Sequence, residues 1–376
     1  MKFFHTILFA CASLCLCSCG GDDEANDPNI PPTPPTPGAG LTLSLTKSVI
    51  HANGTETTDF VVKYDGVSVT DGVTIYDAND RPLADNKSFK TTEVGEYKFW
   101  AAYKTSHSKT VTLKAISVPV PVLPADPTPE NLEFSKKVLL TKFTGTDCPH
   151  CPKMTVLLRK TLEDQATADK VLLSEAHTFN RSDPGYLSVP LAQAFQISSY
   201  PAMVVNFVKS FSDYTVSPEQ FRSLINDEYN VPASAGITAK SEVVTNENGK
   251  KQIAIHVAVK AAEAGNFRVG AWLLESGIKA HQKGAEGLPG DFNTLNNVIR
   301  VADSKNAPSD YSGIKLGTLA QGETAEHVFI MDLKDKWVLD NCHSVIFVTM
   351  DSERTLPVVN AVSCPVEGAL PYNYTK

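Results

Sequence analysis

Cys148 and Cys151, separated by the two residues Pro149 and His150, are the groups in this chain best suited by type and spacing to covalent chemistry. The thiolate is the nucleophile of thiol–disulfide exchange. A cysteine at a helix N-terminus ionises more readily, because free backbone N–H groups and the positive end of the helix dipole face it. With this spacing one sulfur attacks and the other, one helical turn on, closes an internal disulfide. On this reading Cys148 is the helix N-cap and nucleophile, Cys151 is the resolving thiol, and His150 adds partial positive charge that favours the thiolate. A structural bridge or half of a zinc site would use the same two cysteines. Zinc would need distant ligands, since Cys148, His150 and Cys151 on one turn cannot surround an ion tetrahedrally. No zinc spacing, phosphate-cradling glycine loop or Ser-His-Asp triad is visible elsewhere, so neither metal nor cofactor is expected.

The elements around the thiols must position them. The apolar run beginning Val138-Leu139-Leu140 reads as a buried strand, Gly145 marks a turn, and Met154, Leu157, Leu158 and Leu162 form one face of a helix. Residues 170–176 read as a second buried strand, completing a β-α-β unit. Residues 194–207 then give a helix end, Pro201 and another apolar strand. Residues 209–215 and a helix from Pro218 to about Glu228 supply a closing strand and helix.

In this arrangement the chain resembles the thioredoxin superfamily, in which a cis-proline at the head of the later strand packs against the active-site disulfide. Pro201 matches that position, and cis bonds are far commoner before proline than elsewhere. The Cys148-Pro149-His150-Cys151 tetrapeptide resembles periplasmic disulfide oxidants of the DsbA type, whose nucleophilic cysteine is strongly acidic. The pattern departs in three places. Lys142 stands where many thioredoxins carry a buried carboxylate that assists proton transfer to the resolving cysteine. Asp147 replaces an aromatic residue, and its charge works against the thiolate. Pro152 removes an early helical hydrogen bond. His177, at the end of the second strand, either faces the dithiol as a proton donor or substrate contact, or is an ordinary loop histidine.

A chain of 376 residues is too long for one such unit, so two or three domains are expected. The net charge of −8, with no Lys/Arg-rich run, argues against nucleic acid and leaves proteins or small molecules as partners. Lys2 precedes an apolar stretch from Phe3 to Leu16 that is too short to remain as a membrane span. Its end, Leu16-Cys17-Ser18-Cys19, resembles a bacterial lipobox, which implies lipidation of Cys19 and anchoring to a bilayer; a plain secretory signal over residues 1–19 is the alternative. Gly20-Gly21-Asp22-Asp23-Glu24 resembles the acidic surface-export signal of Bacteroidota lipoproteins. Residues 20–40 are rich in proline and form an extended tether.

Residues 41–116 read as short alternating strands, a small β-sandwich resembling the immunoglobulin-like modules of bacterial surface proteins, with Gly95-x-Tyr97 similar to a tyrosine corner. It is either a spacer or a binding module. A second proline-rich linker covers residues 117–130, and residues 131–232 carry the thioredoxin-like pattern. Residues 233–376 return to strands and predict a C-terminal β-sandwich. Folding its last two strands around residues 351–355 places Cys342 opposite Cys364, which predicts a structural disulfide closing about 20 residues and contributing roughly 3 kcal/mol; a relay of electrons to Cys148 and Cys151 is the alternative. The Asn-rich residues 291–300 are a binding loop or a long connection.

Lipobox, sandwich module, Phe143-Thr144-Gly145-x-x-Cys148-x-x-Cys151-Pro152 and C-terminal sandwich together resemble the outer membrane protein 28-related lipoproteins of Bacteroidota, over roughly residue 130 to the C-terminus. The resemblance implies a surface or periplasmic lipoprotein of the outer membrane. The expected fold is thus an α/β thioredoxin-like central domain flanked by an N-terminal immunoglobulin-like β-sandwich and a C-terminal β-sandwich. Two functions are open. One is a lipid-anchored thiol-disulfide oxidoreductase acting on protein thiols or disulfides, with Cys148, Cys151, His150 and Pro201 as its site. The other is a surface adhesin or binding protein in which the Cys148–Cys151 bridge is structural.

Overall fold

The computed structural model describes residues 40–246, 248–307, 310–352 and 355–375. The expected signal segment with Cys19, and the tether up to residue 39, lie outside them.

The N-terminal strands are β1 Leu41–Leu45, β2 Val49–His51, β3 Thr58–Tyr64, β4 Val67–Ser68, β5 Val73–Tyr76, β6 Ser88–Phe89, β7 Gly95–Tyr103, β8 Ser106–His107 and β9 Val111–Ile116. Alternation along them turns every second side chain inward, as the pleat requires: Leu41 and Leu43, then Phe99 and Ala101, then Leu113 and Ala115. One sheet runs β1-β3-β4 with β6 on β3, the other β2-β9-β7-β5 with β8 on β7. Leu41, Leu43, Ile50, Val62, Ile75, Phe99 and Leu113 form their common core. The Tyr97 hydroxyl donates back to the Glu93 carbonyl, 2.9 Å away.

The rest of the chain continues through β10 Val138–Thr144, α1 Cys151–Leu162, α2 Gln165–Ala168, β11 Val171–His177, α3 Leu191–Ala194, β12 Ala202–Val205, β13 Lys209–Phe211 and α4 Pro218–Tyr229. Then come β14 Ala235–Thr245, β15 Lys251–Ala261, β16 Gly265–Glu275, β17 Ile278–Lys279, β18 Thr294–Leu295, β19 Val298–Asp303, β20 Ile314–Leu319, β21 Thr324–Asp332, β22 Cys342–Met350, β23 Val358–Pro365 and β24 Gly368–Leu370.

This arrangement corrects the expected fold class. The described residues hold twenty-four strands and only four α-helices, two of them four residues long, so the protein is mostly β with several sheets. No α/β thioredoxin-like central domain stands between two separate sandwiches. Instead β13-β12-β10-β11 is one half of a nine-stranded sheet that continues β19-β16-β22-β23, with β20 beside β16. The join is the parallel pairing of Glu175 in β11 with Val298 in β19. A strand–helix–strand pattern is local, whereas the partner that occupies the free edge of β11 arrives more than a hundred residues later.

The sheet curls until β23 returns beside β10. The Val358 N–H donates to the Asn206 carbonyl at 2.9 Å, and the Asn206 side chain accepts from the Leu139 N–H at 2.9 Å. One core therefore mixes Leu139, Phe143 and Ala176 with Trp272, Leu274, Ile299, Val345 and Phe347. On the other face of β10, Val138 and Leu140 pack against Met154, Leu157 and Leu158 of α1 and Phe221 and Ile225 of α4. With helices on one face and strands on the other, all seven residues of β10 are buried. A second sheet, β21-β15-β14-β24, covers the far half, burying Ile237, Ile255 and Val257 against Phe267, Val269, Ile346 and Val348. At roughly 1.5–3 kcal/mol for each large apolar side chain taken from water, these cores dominate stability.

Candidate functional site

β10 delivers the chain to the cysteine turn, and the turn closes on its own backbone: the Cys148 N–H donates to the Gly145 carbonyl at 3.1 Å. Helix α1 starts at Cys151, with His150 rather than Cys148 in the N-cap position. Cys148 therefore lies just outside the helix and receives less of its dipole than the sequence predicts. Pro152 falls in the first turn, where N–H groups have no intrahelical partner, so it removes no helical hydrogen bond. Cys148 and Cys151 are joined, with Cα atoms 5.5 Å apart. The Tyr200–Pro201 peptide is cis. Pairing of Phe143 with Ala202 places Pro201 at the same end of the sheet as the turn. His150 is exposed, its ring 6.3 Å from that of Tyr214 and nearly parallel to it.

Neither sulfur-bearing residue is open to solvent. Cys148 is 2% exposed and Cys151 1%. The strap over the turn comes from the segment between β17 and β18. Gln282 Nε2, with two hydrogens to donate, lies 3.1–3.3 Å from the carbonyls of Gly145, Thr146 and Cys148, and the Lys283 N–H donates to the Thr146 carbonyl at 2.9 Å. Gly284, with φ of +74°, passes so close to Pro149 that a Cβ there would lie 2.2 Å from the Pro149 carbonyl oxygen. Only glycine fits this approach.

Beneath the turn is a buried network of charges. Asp183 accepts from the Thr146 N–H at 2.7 Å and the Gly185 N–H at 2.7 Å, and bonds His177 Nδ1 at 2.8 Å. His177 thus acts on the turn through Asp183. Lys142, across the ladder from Glu175, places Nζ 2.6 Å from its Oε1 and donates to Thr155 Oγ1 at 3.0 Å. Thr155 in turn donates to the Cys151 carbonyl at 3.4 Å. Burial pushes the Glu175 carboxyl up, but the Lys142 charge and the His177 contact outweigh it and hold it below its ordinary value. Burial likewise opposes charge on His177, yet Asp183 and Glu175 raise its pKa. Asp183 is held low by His177 and the two N–H donors, against its own burial.

Glu175, Asp183 and Gln282 were not among the residues singled out from sequence. A carboxylate inside the apolar run 170–176 is a signal in itself, because a charge in a buried strand needs a partner. Gln282 gives no such signal, since its role exists only once the far half of the sheet folds back on the turn.

The expected Cys342–Cys364 bridge is not formed. Both residues are buried free thiols. The register of β22 with β23 sets Cys364 opposite Ser344, two positions from Cys342, and a register shift lies between Val348 and Thr349. Diagonal partners in an antiparallel pair are about 7–8 Å apart, too far for a disulfide. Burial, with the Glu275 charge and against Arg300, pushes the Cys342 thiol up to about 12. Burial raises Cys364 to about 11. Both are thereby kept in the protonated, less nucleophilic form, which works against the electron relay.

Residues 190–367 match the model of the family described as outer membrane protein Omp28, a stretch that includes Pro201 and Gln282 and excludes the cysteine turn. Among solved structures, HBP35 of Porphyromonas gingivalis is similar in fold, with a TM-score of 0.51 and 18% identity over 65% of this chain and 79% of that one. The three N-terminal domains of the bacteriophage RB49 highly immunogenic outer capsid protein align over 90% of this chain and 99% of theirs with 6% identity. Their TM-score is 0.15. No curated protein matches the sequence.

Proposed function

We propose that this chain is an outer membrane-associated envelope protein of binding or scaffolding type, in which the Cys148–Cys151 bridge is structural. The observation that carries the reading is the enclosure of both cysteines under Gln282, whose amide nitrogen sits within hydrogen-bond distance of three carbonyls of the turn. A disulfide exchanged with protein substrates needs one sulfur within reach of an incoming thiolate in line with the bond. The Omp28 match over residues 190–367 supports the envelope location. Leu16-Cys17-Ser18-Cys19 supports an anchor to the lipid bilayer through lipidated Cys19, with the tether holding the folded part away from the membrane. A surface protein is the partner this reading favours.

Placement of Cys151 as the first residue of α1, beside an exposed His150, favours a second reading: a thiol-disulfide oxidoreductase whose strap lifts to admit a substrate. One experiment separates the two. Full-length protein is treated with dithiothreitol under native conditions, its thiols are alkylated and mapped, insulin reduction is assayed, and a Cys151→Ser variant is used to trap partners. The structural reading expects a bridge that resists reduction until the protein unfolds, with no turnover and no mixed disulfide. Turnover together with captured partners replaces it with the oxidoreductase.

A further inference from the structure

Beside the turn, a cavity of about 380 Å3 opens between α1, the ends of β10 and β11 and the segment carrying β18. Leu158, Leu162, Phe292 and Leu295 give it apolar walls, while Lys142, Glu175 and His177 give it a polar floor. Its size suits a small molecule, and its lining sets apolar side chains beside polar and charged ones. Part of the wall is the Asn-rich stretch 291–300, which forms β18 and the start of β19. At the rim, the Arg159 guanidinium lies 4.4 Å from the centre of the Phe292 ring and donates to the Asp291 carbonyl.

His177 decides what the ligand must offer. Its Nδ1 faces Asp183, which only accepts, so that nitrogen carries a hydrogen. Its Nε2 lies 3.5 Å from Glu175 Oε2, where a bare lone pair would oppose a carboxylate, so this nitrogen carries one too. That contact is long for a hydrogen bond, and Nε2 has no other acceptor, although His177 is only 1% exposed. A buried donor held only by so long a contact calls for an explanation, and a nearer acceptor supplied by a ligand provides one. The charges already balance: of the groups lining the cavity Lys142, Arg159 and His177 stand against Glu175 and Glu163, and Asp183, paired with His177 Nδ1 away from the lining, supplies the third negative charge. A charged ligand would arrive as the one uncompensated charge in a half-enclosed space.

We infer that this cavity binds a small neutral molecule with an apolar body and a carbonyl or amide oxygen that accepts from His177 Nε2. The site does not depend on the state of the bridge, so failure here leaves the reduction experiment standing, and the reverse.

Benzamide, benzoate and benzylamine share one ring and differ in the group presented to Nε2. Each is titrated into oxidised full-length protein and followed by ligand-observed NMR and by the imidazole 15N resonances of His177. Benzamide is expected to bind saturably and to shift the Nε2 resonance. Benzylamine, whose ammonium cannot accept, is expected to bind at least roughly tenfold more weakly, the size expected for loss of one hydrogen bond to a charged donor. Benzoate is expected to be weakened as much by the charge it brings uncompensated into the cavity. His177→Leu should weaken benzamide by a similar factor, but it leaves Asp183 buried and unpaired and endangers folding. Leu162→Trp is therefore the second variant: it fills the cavity, leaves the His177 network in place, and should abolish benzamide binding with the unfolding midpoint unchanged. Benzoate or benzylamine binding as tightly as benzamide overturns the ligand class. Benzamide binding that survives Leu162→Trp, or no benzamide binding to the unaltered protein, overturns the site.

Discussion

Cys148 and Cys151 share a turn built from polar contacts, while Cys342 and Cys364 sit on neighbouring strands in an apolar core that also contains Phe267, Ile346 and Val348. The first pair is joined because three residues of one turn bring the sulfurs together whatever the rest of the fold does. The second pair stays apart because its distance is set by strand register, and register differs by two positions from a hairpin folded evenly about residues 351–355. What holds each region also differs. Around the turn, the stabilising groups are Asp183, His177, Glu175, Lys142 and Gln282. Around the second pair they are methyl groups and rings, and burial there raises both thiols instead of activating them. Proximity along the chain joined one pair, and burial in apolar packing silenced the other.

The largest effect should come from breaking the charge network. Glu175→Leu strips Lys142 of its partner inside the protein and should cost about 3–5 kcal/mol in denaturant unfolding. Glu175 and Asp183 have lowered folded pKa values, so their contribution is present above the ordinary carboxylate values near 4 and is lost as pH falls through the folded values. His177 has a raised value, so its contribution is complete below about 6.5 and is lost as pH rises through the folded value. The wild-type network should therefore stabilise most between about pH 4 and 6.5, and Glu175→Leu should flatten that profile. An unchanged pH profile in the variant would mean that the turn region is not held by its charges.

A smaller effect is expected from the bridges. Replacing Cys148 and Cys151 together by serine removes the closure of a very short loop, which should cost about 2 kcal/mol. After that change the unfolding midpoint should be the same with and without dithiothreitol, because no second bridge remains among the described residues. A residual drop on reduction would reveal a Cys342–Cys364 bond and erase the contrast between the two pairs.

What could be read from residue order divides along the same line. The apolar runs of β10 and β11, the helix face of Met154, Leu157 and Leu158, the turn at Gly145 and the Cys148–Cys151 pair are all set within a few residues, and all were legible. The partner of β11 was not, since Glu175 pairs with Val298 only when the C-terminal half of the chain is in place. For the same reason the mostly-β architecture was read as a separate α/β unit, and the Gln282 strap that encloses the sulfurs left no trace in the sequence. The start of α1 was missed by two residues, because Cys148 lies in the turn and His150 occupies the N-cap.

The smallest expected change gives the sharpest test of register. Ser344 lies directly opposite Cys364, is fully buried, and its hydroxyl has no hydrogen-bond partner. Ser344→Cys should therefore leave the reduced protein within about 0.5 kcal/mol of wild type, since no bond is lost and sulfur suits an apolar site. Directly opposed Cα atoms in an antiparallel pair are about 4.5–5.5 Å apart, inside the range a disulfide spans. Mild oxidation should then link residue 344 to Cys364 and leave Cys342 alkylatable after unfolding, as peptide mass mapping would show. Linkage through Cys342 instead would mean that β22 and β23 pair two residues out of the register described, and the distinction between a pair set by its turn and a pair separated by its strands would fall with it.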